Sequence, residues 1–503
     1  MAKKIMFQGT GSSVGKSITV AAVCRILSNR GMKVAPFKSQ NMALNSFITT
    51  DGKEMGRAQV VQAEAARVLP RVEMNPILLK PTSDVGSQVI LNGVVYDQMG
   101  ATQYFSAKEL MIPHILNAYQ TLANEYDVIV IEGAGSPAEI NLRSRDVVNM
   151  GLAELIDTDV ILIGDVDKGG VFASLYGTFL LLSESEQQRV KGFLINKFRG
   201  DVSLLMPGVE MLTQLIDRPC LGVVPYIDNL KIDDEDSVTE RFNHGGSESA
   251  MALQIAVVKL PYMSNFTDFT VFDLEKDVNL YYATSEQELM KADLVIIPGS
   301  KNTIIDMEWL IKTGLNQAIY KVHRKETPII GICGGFQILG KTIADPHGVE
   351  SSVQMINGLG LLDVETVMAL EKTTRQAKGY LLDHPLHLQH PKWWLSGYEI
   401  HMGETTLCSN RVKPFLMTDS GHYDGAVDAS NTVKGTYFHG IFDNDHYRTT
   451  LLAEIRARKG MTAEAEALDY NDLKDKEYER LATHVEAHLD MPFLLELLSG
   501  SRD

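Results

Sequence analysis

The chain has 503 residues, with 47 Lys and Arg against 64 Asp and Glu, a formal charge of −17. This length corresponds to roughly three domains' worth of polypeptide, and the acidic balance argues against a nucleic-acid partner, which needs clustered positive charge. Hydrophobic content of 45% and charged content of 22% belong to a globular chain, and no run of the ~20 apolar residues needed for a membrane span is present.

The start, Met1-Ala2-Lys3-Lys4, runs directly into a strand-like stretch and shows no cleavable apolar region. Cys24, Cys220, Cys333 and Cys408 are scattered, with no Cys-x-x-Cys pair, which suits a reducing compartment. A cytoplasmic location is therefore expected. Short β-branched runs follow at 5–8, 33–37, 127–131, 159–164, 192–196 and 220–224, separated by helix-like stretches such as 16–29 and 106–124. Apolar strands that do not alternate, joined by helices, predict a parallel sheet covered on both faces. From 228 to 251 the text turns acidic and then small and polar, and reads as a linker whose acidic run is a solvated face or, alternatively, lies over the first domain's active site. A second α/β series begins near Leu253 and continues at 293–298, 328–333 and 435–439. The residues from 449 to 503 are charged and leucine-rich at helical spacing, and are expected to form a helical tail packed on the second series. The expected division is 1–227, 228–251, 252–448 and 449–503.

The first strand leads into Gly9, Thr10, Gly11, Ser12, Ser13, Val14, Gly15, Lys16 and Ser17, and then a helix. Glycines let successive N–H groups turn inward on phosphate oxygens, and the helix N-terminus adds positive potential. Lys16 is expected to reach the β/γ-phosphates of ATP, and the Ser17 hydroxyl to sit on Mg²⁺. The usual glycine six residues before the lysine is Thr10 here, with Gly9 one earlier, a longer loop resembling that of dethiobiotin synthetase-like proteins. Lys38, ending the second strand, is a candidate second cation, with a plain surface lysine as the alternative. Glu132, ending the strand at 127–131, is placed to hold Mg²⁺. Asp165 and Asp167 are weaker candidates of the same kind.

In Gly331-Ile332-Cys333-Gly334-Gly335 a strand passes at once into a helical pattern, the nucleophile-elbow arrangement with cysteine in place of serine. A helix N-terminus behind the thiol favours the thiolate. The N–H of Gly334 is a candidate oxyanion donor, and Gly299 a second. His439, near the end of a late strand, is the candidate base. His384, His387 and His390 repeat every three residues, but nearby prolines indicate a loop and no fourth ligand is evident, so no zinc site is expected there.

An ATP site beside a cysteine hydrolase suits release of ammonia from glutamine and its transfer to an activated carboxylate. The chain resembles the cobyric acid synthase family of cobalamin biosynthesis. The resemblance is carried by Pro36–Ser46, by Asn75–Ser83, by Glu132–Leu142 and by Lys168–Ser174, then by Ser264–Phe269 and Gly397–Met402. It implies an α/β fold: a P-loop parallel-sheet domain followed by a class I glutamine amidotransferase domain. It also implies amidation of the b, d, e and g carboxylates of adenosylcobyrinic acid a,c-diamide through acyl phosphates. ATP, Mg²⁺ and glutamine are the implied cofactors and ammonia donor, and a corrinoid the implied substrate, with an enclosed path for ammonia. It carries Cys333 over as nucleophile and His439 as its partner. The glutamate that usually follows two residues after this histidine is Ile441 here, leaving Asp443 or Glu399 as candidates to orient His439. The alternatives are the a,c-diamide synthases of the same class and, from another class, an ATP-switch protein of the partitioning kind with an inactive hydrolase domain. The sequence carries no signal of oligomeric state.

Overall fold

The computed structural model describes residues 2–82, 86–233, 252–382, 394–461 and 468–500. The chain divides into two compact units: residues 1–43, 54–236 and 474–503 form one, and residues 44–53 and 237–473 the other.

The first unit is built on a six-stranded parallel sheet. Its spatial order is Cys220–Pro225, Val190–Phe198, Val160–Asp165, Lys3–Gly9, Val128–Glu132 and Val34–Phe37. Four of these strands, Val128–Glu132 among them, are buried almost end to end, which is why their sequences run apolar without alternation. The first strand lies in the middle, between Val160–Asp165 and Val128–Glu132. Strand order therefore reverses at its carboxyl end, the place where open α/β sheets bind ligands. A smaller sheet, Gln40–Met42, Ile77–Pro81, Gly86–Leu91 and Val94–Gly100, was not expected from the sequence.

The tail departs from expectation. Helix Asp445–Lys459 does pack on the second unit, through Leu451, Leu452 and Ile455. From Lys474 onward, however, the chain belongs to the first unit. Leu481, Val485, Leu494 and Leu498 join the core formed by Ile5, Phe7, Val20 and Ile26. Buried Arg25 pairs with Asp475 at 2.6 Å, and Tyr478 Oη donates to Glu64 at 2.7 Å. Leucine at helical spacing specifies an apolar face but not which sheet it covers. The linker expectation also changes where the structure describes it. Asp233 is buried against Arg57, with Nη2 to Oδ2 at 2.8 Å, and is not a solvated charge.

The second unit has a seven-stranded sheet, ordered Val278–Ala283, Leu253–Val258, Leu294–Ile297, Ile329–Ile332, Val433–Thr436, Ala426–Asp428 and Val412–Lys413. The first five are parallel and the last two antiparallel. A further sheet is dominated by the long antiparallel pair Val364–Leu381 and Trp394–Leu407, which the sequence reading missed. Residues 44–53, although early in the chain, belong to this unit. No helix among the described residues is long and apolar enough to cross a membrane.

Candidate functional site

In the first unit the loop Thr10–Gly15 joins strand Lys3–Gly9 to helix Lys16–Asn29. Gly15 has φ of 95°, and a Cβ there would fall 2.2 Å from Asn196 Nδ2, so both conformation and space call for glycine. Asn196 Nδ2 donates to Val14 O at 3.0 Å and Lys197 Nζ to Ser13 O at 2.6 Å, bracing the loop from the end of strand Val190–Phe198. Thr10 N donates to Ile163 O at 2.9 Å.

The expected phosphate-site residues converge. Lys16 Nζ donates to Gly11 O at 2.8 Å and to Gly135 O at 3.0 Å. Ser17 Oγ donates to Glu132 Oε1 at 2.8 Å, and Lys38 Nζ to the same oxygen at 3.0 Å. Gln62 Nε2, which the sequence reading did not single out, donates to Glu132 Oε2 at 2.5 Å. Lys38 and Glu132 are both buried, so Lys38 is not a surface lysine. A buried carboxylate needs partners to offset its desolvation, and here a hydroxyl, an ammonium and an amide supply them. Asp165 and Asp167 are ion-paired with Lys197 and Arg199. Among the described residues no group of three or more His, Cys, Asp or Glu could hold a metal ion by itself. Residues 384, 387 and 390 lie outside the described residues.

In the second unit Cys333 stands between strand Ile329–Ile332 and helix Gly334–Leu339. Its φ of 52° and ψ of −109° lie in a region that side chains other than glycine rarely occupy, at a cost of about 1–3 kcal/mol. Close packing holds the turn: a Cβ on Gly335 would sit 1.9 Å from Ile297 O, and one on Gly331 2.6 Å from the Gly335 carbonyl. Cys333 N donates to Thr436 O at 2.8 Å.

Strand Val433–Thr436 stops before His439, which instead forms an isolated antiparallel bridge with Tyr398. His439 N donates to Tyr398 O at 2.9 Å, and the Tyr398 ring stacks on the imidazole at 5.2 Å between centroids. His439 Nε2 is buried and forms no hydrogen bond of ordinary geometry among the described residues; the Cys333 thiol donates to Ile400 O at 3.5 Å and is close enough to His439 to raise the pKa of its ring. Gly299 packs against the imidazole: a Cβ there would be 3.3 Å from His439 Cε1. Gly334 packs against Ser300, the residue after Gly299.

The group that orients His439 is Asp268, which the sequence reading did not name. His439 Nδ1 donates to Asp268 Oδ2 at 2.6 Å, and Gly440 N to Asp268 Oδ1 at 3.0 Å, so one carboxylate fixes both ring and backbone. Glu399, one of the expected candidates, is instead held by Arg375 at 2.8 Å and by His401 at 3.3 Å. The other, Asp443, is not the partner of Nδ1, and Ile441 is buried in the core. Burial by itself would lower the imidazole pKa, but the Asp268 carboxylate and the thiol outweigh it and raise it to about 10. Asp268 lies in the 3-10 helix Phe266–Leu274, among the buried Phe266, Phe269, Val271 and Phe272. The sequence signal for it was weak: Asp268 and Asp273 both stand in this apolar run, and a carboxylate buried in such a run needs a partner.

Comparison with known proteins is consistent for both units. A model of the CobB/CobQ-like glutamine amidotransferase domain matches residues 254–447, and one of the CobQ/CobB/MinD/ParA nucleotide binding domain matches residues 5–239. A cobyric acid synthase from Alkaliphilus metalliredigens is 50% identical over 98% of this chain and 100% of its own length. Those from Listeria monocytogenes serotype 4a and Thermoanaerobacter sp. strain X514 are each 48% identical over 100% of this chain, covering 98% and 100% of their own.

Proposed function

The chain belongs to the cobyric acid synthase family, glutamine-dependent amidoligases of cobalamin biosynthesis, and from that premise we propose that it amidates the b, d, e and g carboxylates of adenosylcobyrinic acid a,c-diamide, using ATP and glutamine. The observation that carries this reading is the gathering of two sets of side chains suited to the two reactions. Cys333, His439 and Asp268 form one, and Lys16, Ser17, Lys38 and Glu132 around the phosphate loop form the other.

In the first reaction the proton is held on His439, whose raised pKa favours the imidazolium, and the Cys333 sulfur attacks the glutamine carboxamide carbon as the thiolate. Asp268 keeps the Nδ1–H in place and stabilises the imidazolium that forms. The N–H of Gly334 is the donor for the tetrahedral oxyanion, and that of Gly299, which pairs with Ser264 in a short antiparallel ladder, becomes a second donor on release from it. As the C–N bond breaks, His439 returns its proton to the leaving nitrogen and ammonia departs. Water then hydrolyses the thioester to glutamate and regenerates the thiol.

In the second reaction a corrinoid carboxylate attacks the γ-phosphate of ATP, giving an acyl phosphate and ADP. Ammonia adds to the acyl carbon and phosphate leaves, completing the amide. The protein's part is to position the reactants and stabilise their charge. Lys16 exchanges its bonds to loop carbonyls for phosphate oxygens, while the loop N–H groups hold the nucleotide. Ser17 Oγ and the Glu132 carboxylate, 2.8 Å apart, are oxygen donors of the kind Mg²⁺ takes and would hold it. Bound there, Mg²⁺ would supply charge neutralisation at the β/γ-phosphate oxygens.

Incubation with the a,c-diamide, ATP, Mg²⁺ and glutamine, followed by mass spectrometry of the corrinoid, tests this reading. Four successive carboxyl-to-amide conversions are expected. Amidation of cobyrinic acid but not of the a,c-diamide would reassign the substrate, and no amidation of either would overturn the proposal.

A further inference from the structure

A boundary drawn at strand Leu253–Val258 would leave outside the glutaminase a short segment that the structure builds into it. Residues 44–53 belong to the second unit although they are separated from the rest of it by about two hundred residues of chain. Their contacts converge on the supports of His439. Asn45 Oδ1 accepts from Phe266 N at 3.0 Å, and Asn265 Oδ1 accepts in return from Ser46 N at 3.1 Å. This reciprocal clamp grips the turn that opens the Asp268 helix, where Asn265 has a left-handed φ of 52°. Asn265 Nδ2 also lies 3.5 Å from His439 Nδ1. With the Nδ1–H committed to Asp268, this is a packing contact that limits how the ring can turn. Tyr398, stacked on the imidazole, is held by the same segment: its Oη donates to Ser46 O at 3.2 Å, and Phe47 packs edge-on against its ring at 5.5 Å. Farther along, Gln376 Nε2 donates to Ile48 O and Thr374 Oγ1 to Gly52 O. Asn45, Asn265, Asp268 and His439 are all almost completely buried.

We propose that residues 44–53 are a positioning strap of the glutaminase site, and that Asn45 is its key positioning residue. Asn45 holds the Asn265–Asp268 turn so that the Asp268 carboxylate meets His439 Nδ1 in line, while Ser46 and Phe47 hold Tyr398 against the ring. Neither Asn45 nor Tyr398 supplies a proton or a bond to the reaction. Their effect is to keep an imidazole fixed whose misplacement by about 1 Å can slow a reaction ~100-fold. The proposal rests on the glutaminase reading of Cys333 and His439. It adds that part of the glutaminase is encoded within the stretch otherwise devoted to the phosphate site. Immediately before the strap the chain carries Lys38 and the strand Gln40–Met42, so the support of one site is covalently continuous with a residue of the other.

The test is steady-state glutamine hydrolysis and, separately, ammonia-supported amidation by the full chain carrying Asn45→Ala, Asn45→Asp or Tyr398→Phe. In Asn45→Ala the Phe266 N–H loses its acceptor. The expected result is a fall in kcat for glutamine of about 10-fold or more, with KM within ~3-fold, on the scale of a lost positioning group. Ammonia-supported amidation should stay within ~2-fold, and the ionisation seen in the kcat/KM profile should move to lower pH as the Asp268–His439 pairing loosens. Asn45→Asp, which keeps an acceptor oxygen, should recover much of the rate. Tyr398→Phe, which keeps the ring but frees Ser46 O, should give a smaller loss with the same signature.

Unchanged kcat and pH profile in Asn45→Ala would overturn the proposal. So would equal loss of glutamine- and ammonia-supported activity in both Asn45→Asp and Tyr398→Phe, which would mark a merely structural role. Absence of glutamine hydrolysis in the unaltered chain would sink the glutaminase reading itself, a different failure from unaltered turnover in the variants.

Discussion

The two units carry their chemistry differently. In the first, the phosphate loop is one uninterrupted stretch, Gly9 to Ser17, and its partners Lys38 and Glu132 stand at the carboxyl ends of neighbouring parts of one sheet. Its charged groups are engaged with one another or with loop carbonyls, so ligand binding exchanges existing bonds for new ones. In the second, the proposed reacting set is drawn from three distant places in the sequence: Asp268 and His439 are 171 positions apart, and Cys333 lies between them. The Asp268–His439 pair, made at 2.6 Å, joins two of these places through the fold itself. A backbone loop that grips phosphate can be local, because its donors are consecutive N–H groups. A proton relay needs three side chains in line, and only a folded core brings them together.

The largest effect expected is from Cys333→Ala, which separates the two reactions most cleanly. Glutamine-supported amidation should fall by at least ~1000-fold, while free ammonia still supports amidation at close to the original rate. Failure of ammonia to restore activity would break the division into two independent reaction sets. Lys16→Ala should do the converse: amidation with either nitrogen source falls ~100-fold or more, while glutamine hydrolysis persists.

Asp268→Asn sharpens the contrast by leaving the ring's hydrogen-bond geometry nearly intact while removing the charge. Glutaminase kcat should drop by ~100-fold, with the His439 ionisation moved to lower pH, measured from the kcat/KM profile. The same substitution has a stability consequence whose sign follows from the raised imidazole pKa. The stabilisation lost in Asp268→Asn should be largest below the unfolded histidine value of about 6.5 and should vanish as pH rises through about 10, measured by denaturant unfolding across that range.

Leu494→Ala is expected to affect catalysis least. Leu494 is fully buried in the first unit's core, so truncation should destabilise that unit by about 2–5 kcal/mol. Heating should then abolish nucleotide binding at a lower temperature while glutamine hydrolysis survives to its original limit. Earlier loss of glutamine hydrolysis instead would contradict the assignment of the tail to the first unit.

How much was legible in the sequence differs between these regions for the same physical reason. The phosphate loop, the elbow at Cys333 and the parallel strands could be read from contiguous text, because each depends on local backbone geometry and burial. His439 was legible only as a histidine near a strand end. The long antiparallel pair Val364–Leu381 and Trp394–Leu407 was missed because its half-exposed pattern, with Glu365, Glu371 and Arg375 among its residues, does not look like the apolar runs of the parallel strands. Asp268 was quoted within Ser264–Phe269 without being recognised, because nothing in that run points to a histidine so far along the chain.

By itself the sequence determined two α/β sheets, a phosphate-gripping loop, a strained cysteine turn and helices with apolar faces, all set by short-range sterics and by which residues shun water. Only the tertiary structure decided which carboxylate meets His439, which core receives Leu494, and that Asn45 and Ser46 meet the turn at Asn265 and Phe266. Those choices depend on which buried polar and apolar groups can satisfy one another once the chain is closed up, and spacing along the sequence carries no record of that.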